Sequence, residues 1–221
     1  MSNTRRYVPS EIWGDRFHSD KFEKHEIADF MLTPCPCSEL CSDCGFHTPR
    51  TDGIIIAVDG ACRDNGYTNA RAAYGVYVNI ESRFNRADLL DEGPMTSQRA
   101  EITAATEACK LCYQMLITPN FPQMIRHIVI KSDSAYLVNS MVTYIEKWRL
   151  NNYTSSRGRP VVNADLLREL DGFVVWLEEE KDVDVRFWQV PRAQNKQADK
   201  LANASLDGVD YKKFTRDDLF E

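Results

Sequence analysis

The sequence predicts an α/β protein in which a mixed sheet is flanked by helices. The first observation is the apolar, β-branched run from Ile54 to Val58, which is typical of a strand buried on both faces. The second is a set of apolar residues at helical spacing, which are Ala100, Ala104, Ala108, Leu111 and Met115. The third is the order of patterns over residues 53–206, βββαβααβα, which predicts a mixed sheet with helices on its faces.

The elements follow in chain order. Strand patterns lie at 53–60, 72–80, 82–90, 125–132 and 183–190. Helical patterns lie at 97–115, 135–148, 163–180 and 194–205. Asn65-Gly66 predicts a hairpin turn, and Gly60 and Gly75 predict that a ligand or a neighbouring element comes close to these strands. We expect residues 207–221 to form a polar, loosely held tail.

The composition is that of an ordinary globular protein, with 43% hydrophobic residues and a net charge of -6. This charge argues against a non-specific polycation, although a local basic patch for nucleic acid remains compatible with it. No apolar stretch approaches the roughly 20 residues of a membrane helix, and the first residues lack the pattern of a secretory signal or transit peptide. We therefore expect an intracellular protein, cytoplasmic or nuclear, without membrane contact and monomeric, whose protein partners the sequence does not indicate.

Residues 1–52 differ from the rest and predict an N-terminal extension, with no clear strand and a short helix at 23–32. Four of the seven cysteines lie close together: Cys35, Cys37, Cys41 and Cys44. Their number and spacing predict one structural Zn²⁺ site, with His25 and His47 as substitute ligands. Free thiols, or a disulfide in an oxidising compartment, are the alternatives.

Four carboxylates stand out: Asp59, Glu101, Asp133 and Asp199. Taken singly, three have ordinary interpretations: Glu101 as an acid near a helix N-terminus, Asp133 as an N-cap and Asp199 as a solvated helix acid. Asp59 differs, because a carboxylate at the end of a buried strand is costly to desolvate unless a cation meets it. Together the four predict a site for Mg²⁺ or Mn²⁺, and two such ions suit phosphodiester cleavage.

The motifs around these acids resemble the type 1 ribonuclease H family. They are Asp59-Gly, Thr96-Ser-Gln-Arg-Ala-Glu101, Ser132-Asp133-Ser and Asn195-x-x-Ala-Asp199-x-Leu-Ala, and they cover residues 53–206 in family order. The resemblance implies a five-stranded mixed sheet, two bound Mg²⁺ or Mn²⁺ ions, and cleavage of the RNA strand of RNA–DNA hybrids to a 3′-hydroxyl and a 5′-phosphate. It implies that Asp59 and Asp133 bridge or flank the metals. Glu101 would hold one metal and orient the RNA 2′-hydroxyl, and Asp199 would hold the other.

The resemblance also indicates substrate contacts. Asn65, Ser97 and Gln98 fall where the family contacts the minor groove, with turn former and helix caps as their alternative roles. Tyr144 and Trp148 begin a segment that mixes aromatic residues with cations and resembles the family's basic protrusion. Trp148 and Tyr153 as core residues are the alternative. Asn163 and Thr96 match the family's phosphate pocket.

The stretch from Val190 to Asn195 departs from the pattern, because it is short and lacks the His that many members carry. In this it is similar to plant-type and some fungal members. Pro94 stands where some members place an arginine. We expect Arg192 to hold the scissile or product phosphate. A catalytically weak nucleic-acid-binding module, or another two-metal nuclease such as an integrase, remains the alternative function.

Overall fold

The computed structural model describes residues 5–14, 26–27, 30–34, 49–80, 82–118, 125–214 and 216–220. Cys35, Cys37, Cys41 and Cys44, as well as His25 and His47, lie outside these residues. The zinc site therefore stays a prediction.

The described strands form one mixed sheet of seven. They are β1 (Glu26–Ile27), β2 (Phe30–Pro34), β3 (Pro49–Arg63), β4 (Arg71–Tyr77), β5 (Arg86–Leu89), β6 (His127–Ser132) and β7 (Asp184–Gln189). The central five run in the order β5-β4-β3-β6-β7, antiparallel from β5 to β3 and parallel from β3 to β7. These are the five strands that the sequence predicts.

The N-terminal extension contributes to this sheet, so the expectation of a helix at 23–32 and of no strand was wrong. β2 pairs with the first half of β3, where Leu32 lies opposite Ile54. β4 pairs with the second half of β3 on the same edge of that strand. All five residues of β2 are buried. The apolar residues of β2 are therefore buried within the sheet and not on the apolar face of a helix. β3 begins earlier than predicted, at Pro49, which pairs with Pro34 of β2.

The helices predicted at 97–115, 163–180 and 194–205 are present, and two further short helices, near the start and the end of the chain, were not predicted. The described helices are α1 (Pro9–Trp13), α2 (Ser97–Ile117), α3 (Ala135–Asn139), α4 (Ile145–Leu150), α5 (Ala164–Lys181), α6 (Lys196–Asp207) and α7 (Arg216–Phe220). The predicted helix at 135–148 is divided, because a π-helical turn, Ser140–Tyr144, separates α3 from α4. Such turns are often found at functional sites.

Strand β3 is buried on both faces, as its sequence predicts. Ile54 and Ile56 belong to a core that also contains residues of α2 and α5. Ile55 and Ala57 face a second core, which contains Leu201 of α6. The sheet is thus the middle layer between helices.

Two glycines bring helices close to the strands, as predicted. A Cβ on Gly60 would lie 2.2 Å from the backbone nitrogen of Glu101, and a Cβ on Gly75 would lie 2.3 Å from the carbonyl oxygen of Ala198. Gly75 is paired directly with Asp59 across β4 and β3. Because α2 carries Glu101 and α6 carries Asp199, these contacts draw both acids towards Asp59.

Part of the C-terminal tail folds back on the domain. Tyr211–Lys213 forms a 3₁₀ turn, and Leu219 of α7 is buried in the second core. The Lys200 ammonium group donates to the carbonyl oxygen of Asp218 at 2.7 Å. Across the described residues, the helices are all too short or too polar to cross a membrane.

Candidate active site

The four predicted acids come from four elements that meet near the carboxyl ends of β3 and β6. Asp59 lies in β3, and Asp133 follows the parallel strand β6, whose Lys131 pairs with Ala57. Glu101 lies in α2 and Asp199 in α6. All three other acids act electrostatically on Asp59. The structure therefore brings together the set that the sequence singled out.

Asp59 is buried among these charges. Its Oδ1 accepts a hydrogen bond from the Gly60 amide at 2.8 Å. Burial is the largest cause that raises its pKa, followed by the negative charge of Asp133, with Asp199 and Glu101 adding to it. The Gly60 hydrogen bond opposes this shift, and the net result is a pKa of about 8.

Glu101 does not occupy the first turn of α2, which contains no acid. A simple interaction with the helix dipole is therefore not its role. The Ser134 hydroxyl donates a hydrogen bond to Oε2 of Glu101. Burial raises the pKa of Glu101 and Asp133 adds to this, while the Ser134 bond and the charge of Arg192 act in the opposite direction.

Asp133 is not an N-cap, because Ser134 caps α3 by accepting from the Leu137 amide at 3.1 Å. Its Oδ1 instead accepts from the Asn195 side-chain amide at 2.9 Å. That amide also donates to the Val58 carbonyl oxygen at 3.0 Å, and Asn195 is fully buried. Both partners are acceptors, so the NH₂ group must face them. Sequence reasoning quoted Asn195 in a motif but assigned no role to it, although the structure shows that it joins β3, Asp133 and the start of α6.

Asp199 is the one acid of the four with a cationic partner in the described structure. Arg192 Nη2 lies 2.8 Å from Asp199 Oδ1. The Arg192 side chain is 77% exposed, so solvent screens this pair and its contribution to stability is about 0–1 kcal/mol. Arg192 thus lies beside the acids, as expected, and its described contact is a carboxylate.

The donor types in this site fit Mg²⁺ or Mn²⁺, which prefer carboxylate oxygens. In the described ranges, Asp59, Glu101 and Asp133 form no ion pair with Lys, Arg or His within 4.0 Å. Three adjacent carboxylates without an ion-paired cation form a site whose negative charge a divalent ion would neutralise. The side chains are nevertheless not gathered as a metal site, because no three His, Cys, Asp or Glu residues of the described chain form such a group.

Several predicted substrate residues lie at the start of α2. Thr96 caps the helix by accepting from the Arg99 amide at 3.3 Å, and Ser97 and Gln98 are the first two helical residues. Asn65 is exposed in the turn between β3 and β4. The Cys62 thiol contacts the Met95 carbonyl oxygen at 3.4 Å, which joins the base of that turn to the segment before α2.

Asn163 lies at the start of α5 in a left-handed conformation, with φ of 59°. Its side-chain amide donates to the Tyr136 hydroxyl at 3.2 Å. An ion pair between Arg99 and Asp165, at 2.8 Å, ties the start of α5 to the start of α2. The two predicted phosphate-pocket residues, Thr96 and Asn163, therefore precede two helices that are linked at their N-termini.

Tyr144 and Trp148 form a stacked aromatic pair with ring centroids 5.5 Å apart. They line a groove of about 480 Å³ together with Lys147, Arg157 and Arg159. Tyr144 is exposed and Trp148 is partly buried against the core. Tyr153 is a core residue, as the alternative interpretation stated.

Comparisons with known proteins give a consistent result. The family model RNase H matches residues 51–207. Ribonuclease H1 of Rattus norvegicus is 31% identical over 155 residues, which are 68% of this chain and 49% of the relative. Ribonuclease H of Clostridium botulinum is 30% identical over 162 residues, covering 70% of this chain and 95% of the relative. The chain thus spans about half the length of the mammalian relative.

Among solved structures, the foamy viral protease-reverse transcriptase in complex with RNA/DNA hybrid is similar in fold, with a TM-score of 0.53 and 20% identity. The match covers 70% of this chain and 20% of that chain. The expected closeness to plant-type and fungal members stays a prediction.

Proposed function

Because the chain belongs to the ribonuclease H family, as its motifs predict, we propose that it is an endoribonuclease that cleaves the RNA strand of RNA–DNA hybrids. The observation that carries this proposal is the buried carboxylate of Asp59, which the chain surrounds with three further acids and no ion-paired cation of its own. An ionised carboxylate in such surroundings opposes folding unless a proton or a bound cation neutralises it. The names of the relatives support the same activity.

Enzymes of this family use divalent metal ions. The finer proposal is that two Mg²⁺ or Mn²⁺ ions are held here by Asp59, Glu101, Asp133 and Asp199. When bound, such ions would supply a water of lowered pKa for attack on the phosphodiester and would stabilise the leaving oxygen.

The protein residues position these groups. Asn195 fixes the carboxylate of Asp133, and Ser134 fixes that of Glu101, which is the side chain proposed to orient the RNA 2′-hydroxyl. Arg192 gives one of its donors to Asp199 and exposes the rest of its guanidinium to solvent. Because arginine cannot exchange protons near neutral pH, its proposed role is to hold a phosphate by hydrogen bonds.

The substrate contacts also remain part of the proposal. Asn65, Ser97 and Gln98 are proposed to contact the minor groove, where the 2′-hydroxyls that mark an RNA strand are displayed. Thr96 and Asn163 are proposed to bind one backbone phosphate. The aromatic and basic groove at Tyr144 and Trp148 is proposed to bind the DNA strand.

The test is cleavage of three end-labelled duplexes of one sequence: RNA–DNA hybrid, duplex RNA and duplex DNA. Only the RNA strand of the hybrid should be cut, leaving 5′-phosphate ends, and only with Mg²⁺ or Mn²⁺ present. Asp133→Asn should lower the rate by at least about 10³-fold, because it weakens a metal ligand and leaves the Asn195 contact.

Asp91→Asn, in an exposed loop, is the matched control and should retain the full rate. Tight hybrid binding without cleavage by the wild type would instead identify a nucleic-acid-binding module. Cleavage of duplex DNA at a similar rate would indicate another nuclease of the superfamily.

A further inference from the structure

Residues at the N-terminus, outside the part matched by the family model, extend the sheet at its β7 edge. The Tyr7 amide donates to the Phe187 carbonyl oxygen at 2.9 Å, and the Phe187 amide donates to the Arg5 carbonyl oxygen at 2.7 Å. Arg6 forms a parallel bridge with Phe187. The backbone of Arg5 and Arg6 is therefore fixed, which lets both side chains act on neighbouring elements.

Arg5 binds two acids of α5. Its Nε and Nη2 contact the carboxylate of Glu178 at 3.1 and 2.6 Å, and its Nη1 contact to Asp171 Oδ1 is 3.3 Å. The Arg5 side chain is 12% exposed, so water screens these pairs less than it screens surface pairs. A mostly buried, multidentate arginine holds its partners in a fixed geometry.

Asp171 connects Arg5 to the segment that carries the groove at Tyr144 and Trp148. It also binds the guanidinium of Arg149, at the end of α4, and accepts from the Tyr153 hydroxyl at 3.1 Å. Burial raises the pKa of Tyr153 to about 12, and the charge of Asp171 adds to this, so the phenol remains a hydrogen-bond donor. Asp171 therefore joins the N-terminus to both sides of the turn that follows α4.

This turn needs such support. Asn152 and Tyr153 are consecutive non-glycine residues with positive φ, at 52° and 56°. Side chains with a Cβ avoid this region, and strained residues persist only when the surrounding contacts fix them. The Tyr153 side chain is fixed by Asp171, and its backbone by the Trp148 carbonyl oxygen at 2.7 Å.

Arg6 acts on the other end of the same region. Its Nη2 lies 2.9 Å from Asn139 Oδ1, in α3, and 3.5 Å from Thr143 Oγ1, in the π-helical turn. That turn ends at Tyr144, whose ring stacks on Trp148. Two neighbouring arginines thus hold both ends of the helical segment that presents the aromatic pair.

We propose that Arg5 and Arg6 are positioning residues for substrate binding: together with Asp171 they form an N-terminal brace that holds residues 139–162, here called the nucleic-acid arm, in the conformation that binds the hybrid. This inference rests on the proposed function. The brace contacts the arm through hydrogen bonds to its side chains and is proposed to act through geometry, without touching the nucleic acid.

Neutralising an acidic residue of the brace distinguishes positioning from simple attraction of phosphates, because the two roles predict opposite changes in hybrid binding. Removing a negative charge such as Asp171 strengthens the attraction of the protein for nucleic acid if only electrostatics matter. The brace predicts the opposite result, since loss of Asp171 frees Arg149 and the Tyr153 turn. A variant that becomes more positive and yet binds hybrid more weakly therefore supports positioning.

The experiment compares Arg5→Gln, Arg6→Gln and Asp171→Asn with the wild type at one ionic strength. Each variant should raise KM for the hybrid about threefold to tenfold and leave single-turnover cleavage at saturating hybrid nearly unchanged. Amide hydrogen exchange of the metal-free, substrate-free proteins should be faster in residues 139–162. Arg126→Gln removes the same charge and is the matched control, because the described ion pair of Arg126 is with the exposed Asp182, which lies outside the arm.

If Arg5→Gln and Arg6→Gln change KM no more than Arg126→Gln does, or if Asp171→Asn lowers KM, the brace is overturned. If Asp171→Asn does not fold, Glu178→Gln replaces it, since it also removes a negative charge that binds Arg5 and is less buried. The brace predicts that it, too, raises KM. Hydrogen exchange requires no nucleic acid, so unchanged exchange in the arm overturns the brace whatever the substrate. A wild type that does not cleave hybrid, with exchange accelerated in the variants, would refute the proposed function and retain the brace.

Discussion

Two aspartates of this protein are almost equally buried, but the charges around them have opposite signs. Asp59 is 6% exposed and Asp171 is 5% exposed. Asp171 is surrounded by Arg5, Arg149 and the Tyr153 hydroxyl. Asp59 has the Gly60 amide as its hydrogen-bond donor and three carboxylates as charged neighbours.

The difference shows which buried acid receives its cations and hydrogen-bond donors from the protein. A buried carboxylate with two arginines and a phenol has the partners that its charge requires. The surroundings of Asp59 disfavour its ionised form. The protein is therefore more stable when Asp59 is protonated or when a cation is bound beside it. Burial alone therefore does not indicate a functional acid, whereas burial without a cationic partner supports the role proposed for Asp59.

The largest expected effect follows from Asp59→Asn, which should separate activity from stability. Loss of this proposed metal ligand should lower the cleavage rate by at least about 10³-fold. In chelator at pH 7.5, the same variant should raise the free energy of unfolding by about 1–3 kcal/mol, because the wild type must take up a proton at Asp59 on folding or bury a charge that its neighbours repel. Urea denaturation with and without Mg²⁺ measures the second effect. A variant that is less stable than the wild type in chelator would contradict the comparison.

Asp171→Ala should have the opposite effect on stability. It leaves Arg5 and Arg149 without their shared partner and the Tyr153 hydroxyl without its acceptor. Breaking a buried pair of this kind should lower the free energy of unfolding by about 3 kcal/mol. Urea denaturation measures the change, with Asp91→Ala as an exposed control expected to lie within about 0.5 kcal/mol of the wild type. A loss below about 1 kcal/mol would show that Asp171 is not the structural counterpart of Asp59.

The sequence predicted those features that local patterns carry. The Ile54 to Val58 run predicted the central strand, because a strand buried on both faces leaves a continuous apolar signal. The motif order predicted the four acids, and the structure places them together. The pairing of β2 with β3 was missed, since the burial of Leu32 depends on Ile54, a residue distant in the chain. The partners of Arg5 and Arg6 were missed for the same reason, because arginines near a terminus carry no local signal of the acids and amides that they meet.

The smallest effect expected, counted per pH unit, is a pH dependence of stability that Asp59 causes. In the metal-free fold Asp59 has a pKa of about 8, against an ordinary value of 3.8 for an aspartate. Between about pH 4 and pH 8 the folded protein therefore binds more protons than the unfolded chain, so stability falls as pH rises, by at most about 1.4 kcal/mol per pH unit. The raised pKa of Glu101 acts in the same direction. Below about pH 4 Asp59 is protonated in both states and its cost disappears.

The measurement is the difference in free energy of unfolding between Asp59→Asn and the wild type, in chelator, at several pH values from 5 to 8. Taking the difference cancels titrations that both proteins share, such as those of Asp52, whose pKa the Arg50 hydrogen bond lowers. The advantage of the variant should grow with pH, and Mg²⁺ should reduce it, because a bound cation stabilises the ionised carboxylate of the wild type. An Asp59 difference that is constant over the range would mean that this carboxylate is already neutralised by the protein, and the contrast between the two aspartates would be lost.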